Sequence, residues 1–180
     1  MIEVRWHGRG GQGGFTAARL LGLSAAVFEN RFALAFPSFG PERRGAPVLG
    51  FTRIDDRKIT DRSAVRDCDY VVVLDETLMN PSITAGLKPG GKVVLNTTCA
   101  NKYSNTAFPI IGIDATRLTN EILGKPITNT AMLGALIAAS GLIQLESALK
   151  ALEQEMSPKL ARLNGEVARQ AYAQISGGAA

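Results

Sequence analysis

The 180-residue chain is poor in the groups that usually announce chemistry, with two cysteines and a single histidine. Cys68 and Cys99 stand alone, without C-x-x-C or metal-ligand spacing. That excludes a disulfide framework, a zinc site and an iron–sulfur cluster built by this chain, and both read as small core or loop thiols. No Ser-His-Asp or Cys-His arrangement is suggested, and His7, at a strand-to-loop junction, suits a structural hydrogen bond. Aromatics are 6% of the residues, and none is interleaved with the basic run as a base-stacking platform requires, so nucleic acid is not an expected partner. No apolar stretch is long enough to span a bilayer, and the charged amino-terminal strand is not a secretory segment. A cytoplasmic protein without a membrane span is expected.

What is present suits one soluble α/β domain over residues 1–175 with a flexible tail at 176–180, since 46% apolar content in 180 residues can fill one core. The net charge of +4 is unevenly spread. Arg43, Arg44, Arg53, Arg57, Lys58, Arg62 and Arg66 crowd one stretch, which suits a polyanionic cofactor or an acidic partner surface. A solvated face with scattered ion pairs is the plainer reading.

The segment His7-Gly8-Arg9-Gly10-Gly11-Gln12-Gly13-Gly14 follows the apolar alternation Ile2–Trp6 and precedes an Ala/Leu-rich helix. Strand, glycine loop, helix is an order that presents backbone N–H groups and the positive end of a helix dipole to an anion. Gly8, Gly10 and Gly13 fit G-x-G-x-x-G, but an NAD(P) site also wants an acidic residue ending the second strand, about 20 residues on. Arg31–Pro37 offers none there. Glycines that merely make a tight turn are the other alternative.

Tyr70–Leu74 and Lys92–Asn96 read as strands of a parallel sheet, with Lys88–Gly91 as a turn and residues 78–87 as a crossover helix. Pro109–Ile113 is a third such strand, followed by a helix capped at Asp114 and ended by Gly124 and Pro126. Val48–Ile54 reads as an antiparallel strand with a turn after it. A helix from Thr128 or Asn129 to about Glu153 carries small residues, Ala131, Gly134, Ala135, Ala138 and Gly141, that admit another backbone, and Ser157-Pro158 opens a last helix over 159–175. The expected fold is a single three-layer α/β domain, Rossmann-like, with a mostly parallel, partly mixed sheet. Its ligands belong outside the carboxyl ends of the strands, where the loops after Trp6, Phe36, Leu74 and Leu95 converge.

Phe36–Pro47, with its prolines, glycines, two aromatics and the pair Arg43-Arg44, is too elaborate for a plain connection. Taken with His7–Gly13, it closely resembles the gamma subunit of pyruvate and related 2-oxoacid:ferredoxin oxidoreductases, including phenylglyoxylate dehydrogenase-like enzymes. Asn129–Gly134 and Leu163-Asn164-Gly165 share the likeness, which runs over almost the whole chain. The resemblance implies a heteromeric enzyme that oxidatively decarboxylates a 2-oxoacid to acyl-CoA and CO2 and passes electrons to ferredoxin or another acceptor. It implies thiamine diphosphate, Mg2+ and [4Fe–4S] clusters in partner subunits of alpha, beta and ferredoxin-like delta type, with this chain handling coenzyme A and assembly and inactive alone. No catalytic or metal residue is expected here. The amides of Gly10, Gly11, Gln12 and Gly13 are expected to receive coenzyme A phosphates, with Arg9, Arg43 or Arg44 supplying charge. A purely structural assembly subunit and an independent NAD(P)-binding enzyme remain as alternatives.

Overall fold

A computed structural model describes residues 1–38, 45–104 and 106–177. Six strands, β1 (Ile2–Arg9), β2 (Phe32–Pro37), β3 (Pro47–Asp55), β4 (Cys68–Val73), β5 (Leu87–Asn96) and β6 (Ile110–Ile113), form one sheet in the order β2-β3-β1-β4-β5-β6. β1, β4, β5 and β6 pair in parallel, while β3 is antiparallel to both β1 and β2. The expected mixed sheet is thus present, with β3 as its one reversed strand, and every other strand points its carboxyl end to the same edge.

Side-chain alternation divides the core into two. Val4, Trp6, Ile54, Val72 and Val94 face a core that includes residues of α1 (Gly14–Leu23), α2 (Ala115–Leu123), α3 (Asn129–Ser140), α4 (Leu145–Glu155) and α5 (Pro158–Gly177). Val71, Val73, Val93 and Leu95 face the opposite way, against Leu78, Ile83 and Val65 from loops and short turns. The described helices therefore lie on one side. α3 runs between the sheet and α5, and every residue from Asn129 to Ile137 is buried, as expected of a helix that is apolar all round.

Several sequence expectations need correction. β1 continues through His7, Gly8 and Arg9, leaving a glycine loop of Gly10–Gly13. The crossover over 78–87 is no α-helix but two single 3₁₀ turns, Glu76–Leu78 and Pro81–Thr84. Asp75 and Asn80 accept hydrogen bonds from the amides two residues on, Thr77 and Ser82, and such side-chain competition halts helix propagation. Lys88–Gly91 belongs to β5, across a register irregularity between Cys68 and Tyr70. Gly91 is required there, since a Cβ would come within 2.9 Å of the Asp69 carbonyl oxygen. Lys58-Ile59 forms no strand. The helix expected from 128 to about 153 is two, because Gly141 at φ 64° ends α3 and donates its amide to the Ile137 carbonyl at 2.8 Å. Pro158 heads α5, which reaches Gly177, beyond the expected end.

Candidate functional site

The glycine loop joins β1 to α1 at the common carboxyl edge of the sheet, beside the ends of β4 and β5. Gly11 and Gly13 have φ of 95° and 78°, a region that glycine enters without strain. Gly13 is also the N-cap of α1, and no side chain caps that helix, so the positive end of its dipole lies at the glycine loop.

Two of the four loop amides are spent within the chain. Gly10 N–H donates to the Ala46 carbonyl at 2.9 Å and Gln12 N–H to the Arg9 carbonyl at 3.0 Å. Among the described residues, the Gly11 and Gly13 amides meet no acceptor. Arg9 is also committed, since its Nε donates to Asp75 Oδ2 at 2.9 Å, one terminal nitrogen to the Gly45 carbonyl at 3.1 Å and the other to Thr77 Oγ1 at 2.8 Å. Gln12 closes the ring, its Oε1 accepting from Arg9 N–H at 2.7 Å and its Nε2 donating to Asp75 Oδ2 at 3.1 Å. Arg43 and Arg44 lie outside the described residues.

Asp75 is the hub that sequence reading missed. Its Oδ1 accepts from the Thr77 amide at 3.0 Å and the Thr77 hydroxyl at 2.6 Å. Partial burial works to raise its pKa, but the hydrogen bonds from Thr77, Gln12 and Arg9 prevail and hold it below the usual carboxylate range. Asn96 is a second such residue. Its Nδ2 donates to the Leu74 carbonyl at 2.9 Å, and its Oδ1 accepts from Ala115 N–H at 3.0 Å, tying the ends of β4 and β5 to the start of α2. Asn96 ends a predicted strand and Asp75 directly follows one, which was the one available signal.

Two cavities flank this network. One of about 650 Å³ is lined by His7, Gly8, Arg9, Phe15, Thr77 and Asn80 among others, and among the described residues Arg9 carries the one formal charge of its lining. The other, of about 900 Å³, includes Asp75, Glu76, Asp114 and Glu121 beside one arginine, Arg117, that pairs with the last two, a wall less welcoming to an anion. His7 departs from the expected structural hydrogen bond, since its Nε2 is buried without a partner among the described residues. Burial first, then the charge of Arg5, push its pKa down to about 4, so the ring is neutral near pH 7. The basic stretch also divides. Arg53 is buried, bonded to Glu3 at 2.9 Å and paired with Asp61 at 3.2 Å, and is unavailable as a free cation.

Residues 3–174 match the family described as pyruvate ferredoxin/flavodoxin oxidoreductase. The pyruvate/ketoisovalerate oxidoreductases common subunit gamma of Thermococcus litoralis is 46% identical over 178 residues, with 96% of each chain covered. The pyruvate synthase subunit PorC of Methanocaldococcus jannaschii is 46% identical over 173 residues at the same coverage. The crystal structure of pyruvate oxidoreductase subunit PORC from Thermotoga maritima superimposes with a TM-score of 0.84 at 36% identity, over 95% of this chain and 94% of that one. A 2-oxoglutarate:ferredoxin oxidoreductase from Magnetococcus marinus, solved with 2-oxoglutarate, coenzyme A and succinyl-CoA bound, shares the fold at a TM-score of 0.79 and 16% identity, with 98% of this chain lying on 31% of that longer one. With nearly its whole length matched, the glycine loop and the mixed sheet included, the chain belongs to the pyruvate ferredoxin/flavodoxin oxidoreductase family.

Proposed function

We propose that this chain is the gamma subunit of a multisubunit 2-oxoacid oxidoreductase that oxidatively decarboxylates a 2-oxoacid to its acyl-CoA and CO2. Identity of 46% over 178 residues to a gamma subunit, with 96% of both chains aligned, carries the reading. The partners are thiamine-binding subunits of alpha and beta type and a ferredoxin-like subunit of delta type, with ferredoxin or a similar acceptor taking the electrons. Thiamine diphosphate with Mg2+ and [4Fe–4S] clusters supply decarboxylation and electron transfer in those subunits. This chain has two cysteines in all, Cys68 buried and Cys99 exposed, and a four-cysteine cluster needs more.

Coenzyme A is the group this chain is suited to hold. The amides of Gly11 and Gly13, which meet no acceptor among the described residues, and the uncapped start of α1 offer donors to a phosphate, and among the described residues the cavity beside Arg9 and His7 has no carboxylate in its lining. Within the loop proposed from sequence, Gly10, Gln12 and Arg9 shape the site, while Arg43 and Arg44 supply charge to a coenzyme that carries several phosphate charges. A Cβ on Gly11 would stand in open space, so Gly11→Ala strains the turn without a clash.

Native copurification with mass spectrometry, and assays of bound thiamine diphosphate and iron, tests the subunit reading. Recovery with thiamine-binding and cluster-bearing chains is expected, and a clean monomer that turns over NAD(P) would replace it with an independent enzyme. In the intact complex, Gly11→Ala, Arg43→Ala and Arg44→Ala are expected to raise the KM for coenzyme A. Loosened assembly without a selective coenzyme A defect would make this a purely structural subunit.

A further inference from the structure

We propose that Asp75 is the positioning residue of the coenzyme A site, and that Arg9 acts as its strut rather than as a phosphate ligand. The inference rests on the coenzyme A reading above and specifies how this chain presents its amides.

Two separate segments meet on this one carboxylate, the end of β1 with the glycine loop and the turn after β4, and Arg9 carries the connection on to a third, the chain entering β3. Asp75 Oδ2 accepts from Arg9 Nε at 2.9 Å and Gln12 Nε2 at 3.1 Å. Arg9 then reaches the Gly45 carbonyl at 3.1 Å, and Gly45 and Ala46 are themselves sewn to Gly10, by Gly45 N–H to the Gly10 carbonyl at 3.1 Å and Gly10 N–H to the Ala46 carbonyl at 2.9 Å. Gln12 fixes the other side of the loop by accepting from Arg9 N–H at 2.7 Å. Without the carboxylate, two cationic or amide groups lose their anchor, and a loop of three glycines around one glutamine has little rigidity of its own.

The electrostatics point the same way. The Asp75 side chain is 17% exposed and pairs with the Arg9 guanidinium at 2.9 Å, so the charge of Arg9 is largely compensated beside the glycine loop. A phosphate approaching Gly11 and Gly13 meets oriented amides rather than a free cation, and fixed dipoles serve only while the loop holds its shape.

The two roles for Arg9 predict opposite signs, which makes the proposal decidable in the intact complex by titrating coenzyme A in the 2-oxoacid-dependent reduction of an electron acceptor. Asp75→Asn removes the anchor. It is expected to raise the KM for coenzyme A on the order of tenfold or more, with kcat at saturation within about twofold of the parent. Arg9→Ala should do the same, and the double variant should be no worse than either single one, because both break one connection. A lower KM in Asp75→Asn, with a steeper dependence on salt, would show that the freed Arg9 binds phosphate directly and would overturn the proposal.

An unchanged KM in Asp75→Asn beside a raised one in Gly11→Ala would also overturn it while leaving the coenzyme A reading intact. If Gly11→Ala also leaves KM unchanged in an assembled complex, the coenzyme A reading itself falls. Should Asp75→Asn fail to assemble, Thr77→Val removes the hydroxyl that donates to Asp75 at 2.6 Å and accepts from Arg9 at 2.8 Å without altering charge. It is expected to raise KM by a smaller factor in the same direction, and no rise overturns the proposal.

Discussion

Trp6 buries its whole ring, and its Nε1 donates to Thr52 Oγ1 at 3.1 Å while the Thr52 hydroxyl donates to the Ala18 carbonyl at 2.8 Å. The chain of bonds lets an indole enter the core beneath α1 with no orphaned donor, so Thr52→Val, nearly equal in volume, should cost about 1–3 kcal/mol by stranding that N–H. Urea denaturation measures the loss, and an unchanged midpoint would show that the bond carries no weight. His7 makes the opposite case, its Nε2 buried without a partner among the described residues. Its pKa is about 4 against 6.5 when unfolded, so between those values the unfolded chain binds the extra proton and folding stability falls as pH drops. Above pH 6.5 the ring is neutral in both states, and below about 4 the loss is complete, reaching about 3 kcal/mol. His7→Gln is expected to flatten the stability curve across that window, and an equally steep acid limb would move the cause elsewhere. At this scale, the glycine loop was legible because a local run of glycines between strand and helix is contiguous in sequence. Asp75 was not, since its partners Arg9 and Gln12 lie 66 and 63 positions away, and nothing in a strand-ending aspartate says which distant side chains it will collect.

Between elements, α3 and α5 approach closely. A Cβ added at Gly134 would sit 2.3 Å from the Ala168 carbonyl oxygen, so the small-residue stripe read from the sequence lets backbones inside this chain approach, rather than serving a subunit interface at that position. Gly134→Ala must push the helices apart and should cost about 1–3 kcal/mol. A thermal melt that matches the parent would mean the helices can separate freely. Nearby, Thr130 Oγ1 donates to Asn164 Oδ1 at 2.9 Å, and Asn164 Nδ2 donates to the Leu160 carbonyl at 2.9 Å, which explains structurally two of the motifs that carried the family resemblance. The strands were legible because β-branched runs such as Tyr70–Val73 have no competing reading once turns bound them. The helices were less so. Alternation of apolar and small residues continues past Gly141, and only the left-handed backbone there, with Ser140 Oγ bonding back to the Leu136 carbonyl at 2.6 Å, separates α3 from α4. The turns after β4 were misread for the converse reason, because residues 78–87 have the length of a helix while Asp75 and Asn80 take the amides that one would use.

For the molecule as a whole, one sheet serves two unlike cores, the helical side around Trp6 and Leu136 and the turn-covered side around Val73 and Leu95. Neither core can come apart without exposing strands that the other needs, so they should melt as a single unit despite the thin cover on one face. Leu95→Ala and Leu136→Ala, both at buried positions on opposite sides, are each expected to lower global stability by about 2–5 kcal/mol. The discriminating observable is hydrogen exchange. If the sheet couples the two sides, Leu95→Ala lowers the protection of α3 amides, on the far face, as much as that of β5 itself. If α3 keeps its parent protection while β5 loses its own, the turn-covered face is a separate, weaker unit. The Asp75 network, whose ligands come from loops at the edge shared by both cores, would then open with that face and not with the helices. A coenzyme site hung on that network requires the first outcome, because its glycine loop leads directly into α1 on the helical side while its anchor stands at the end of β4.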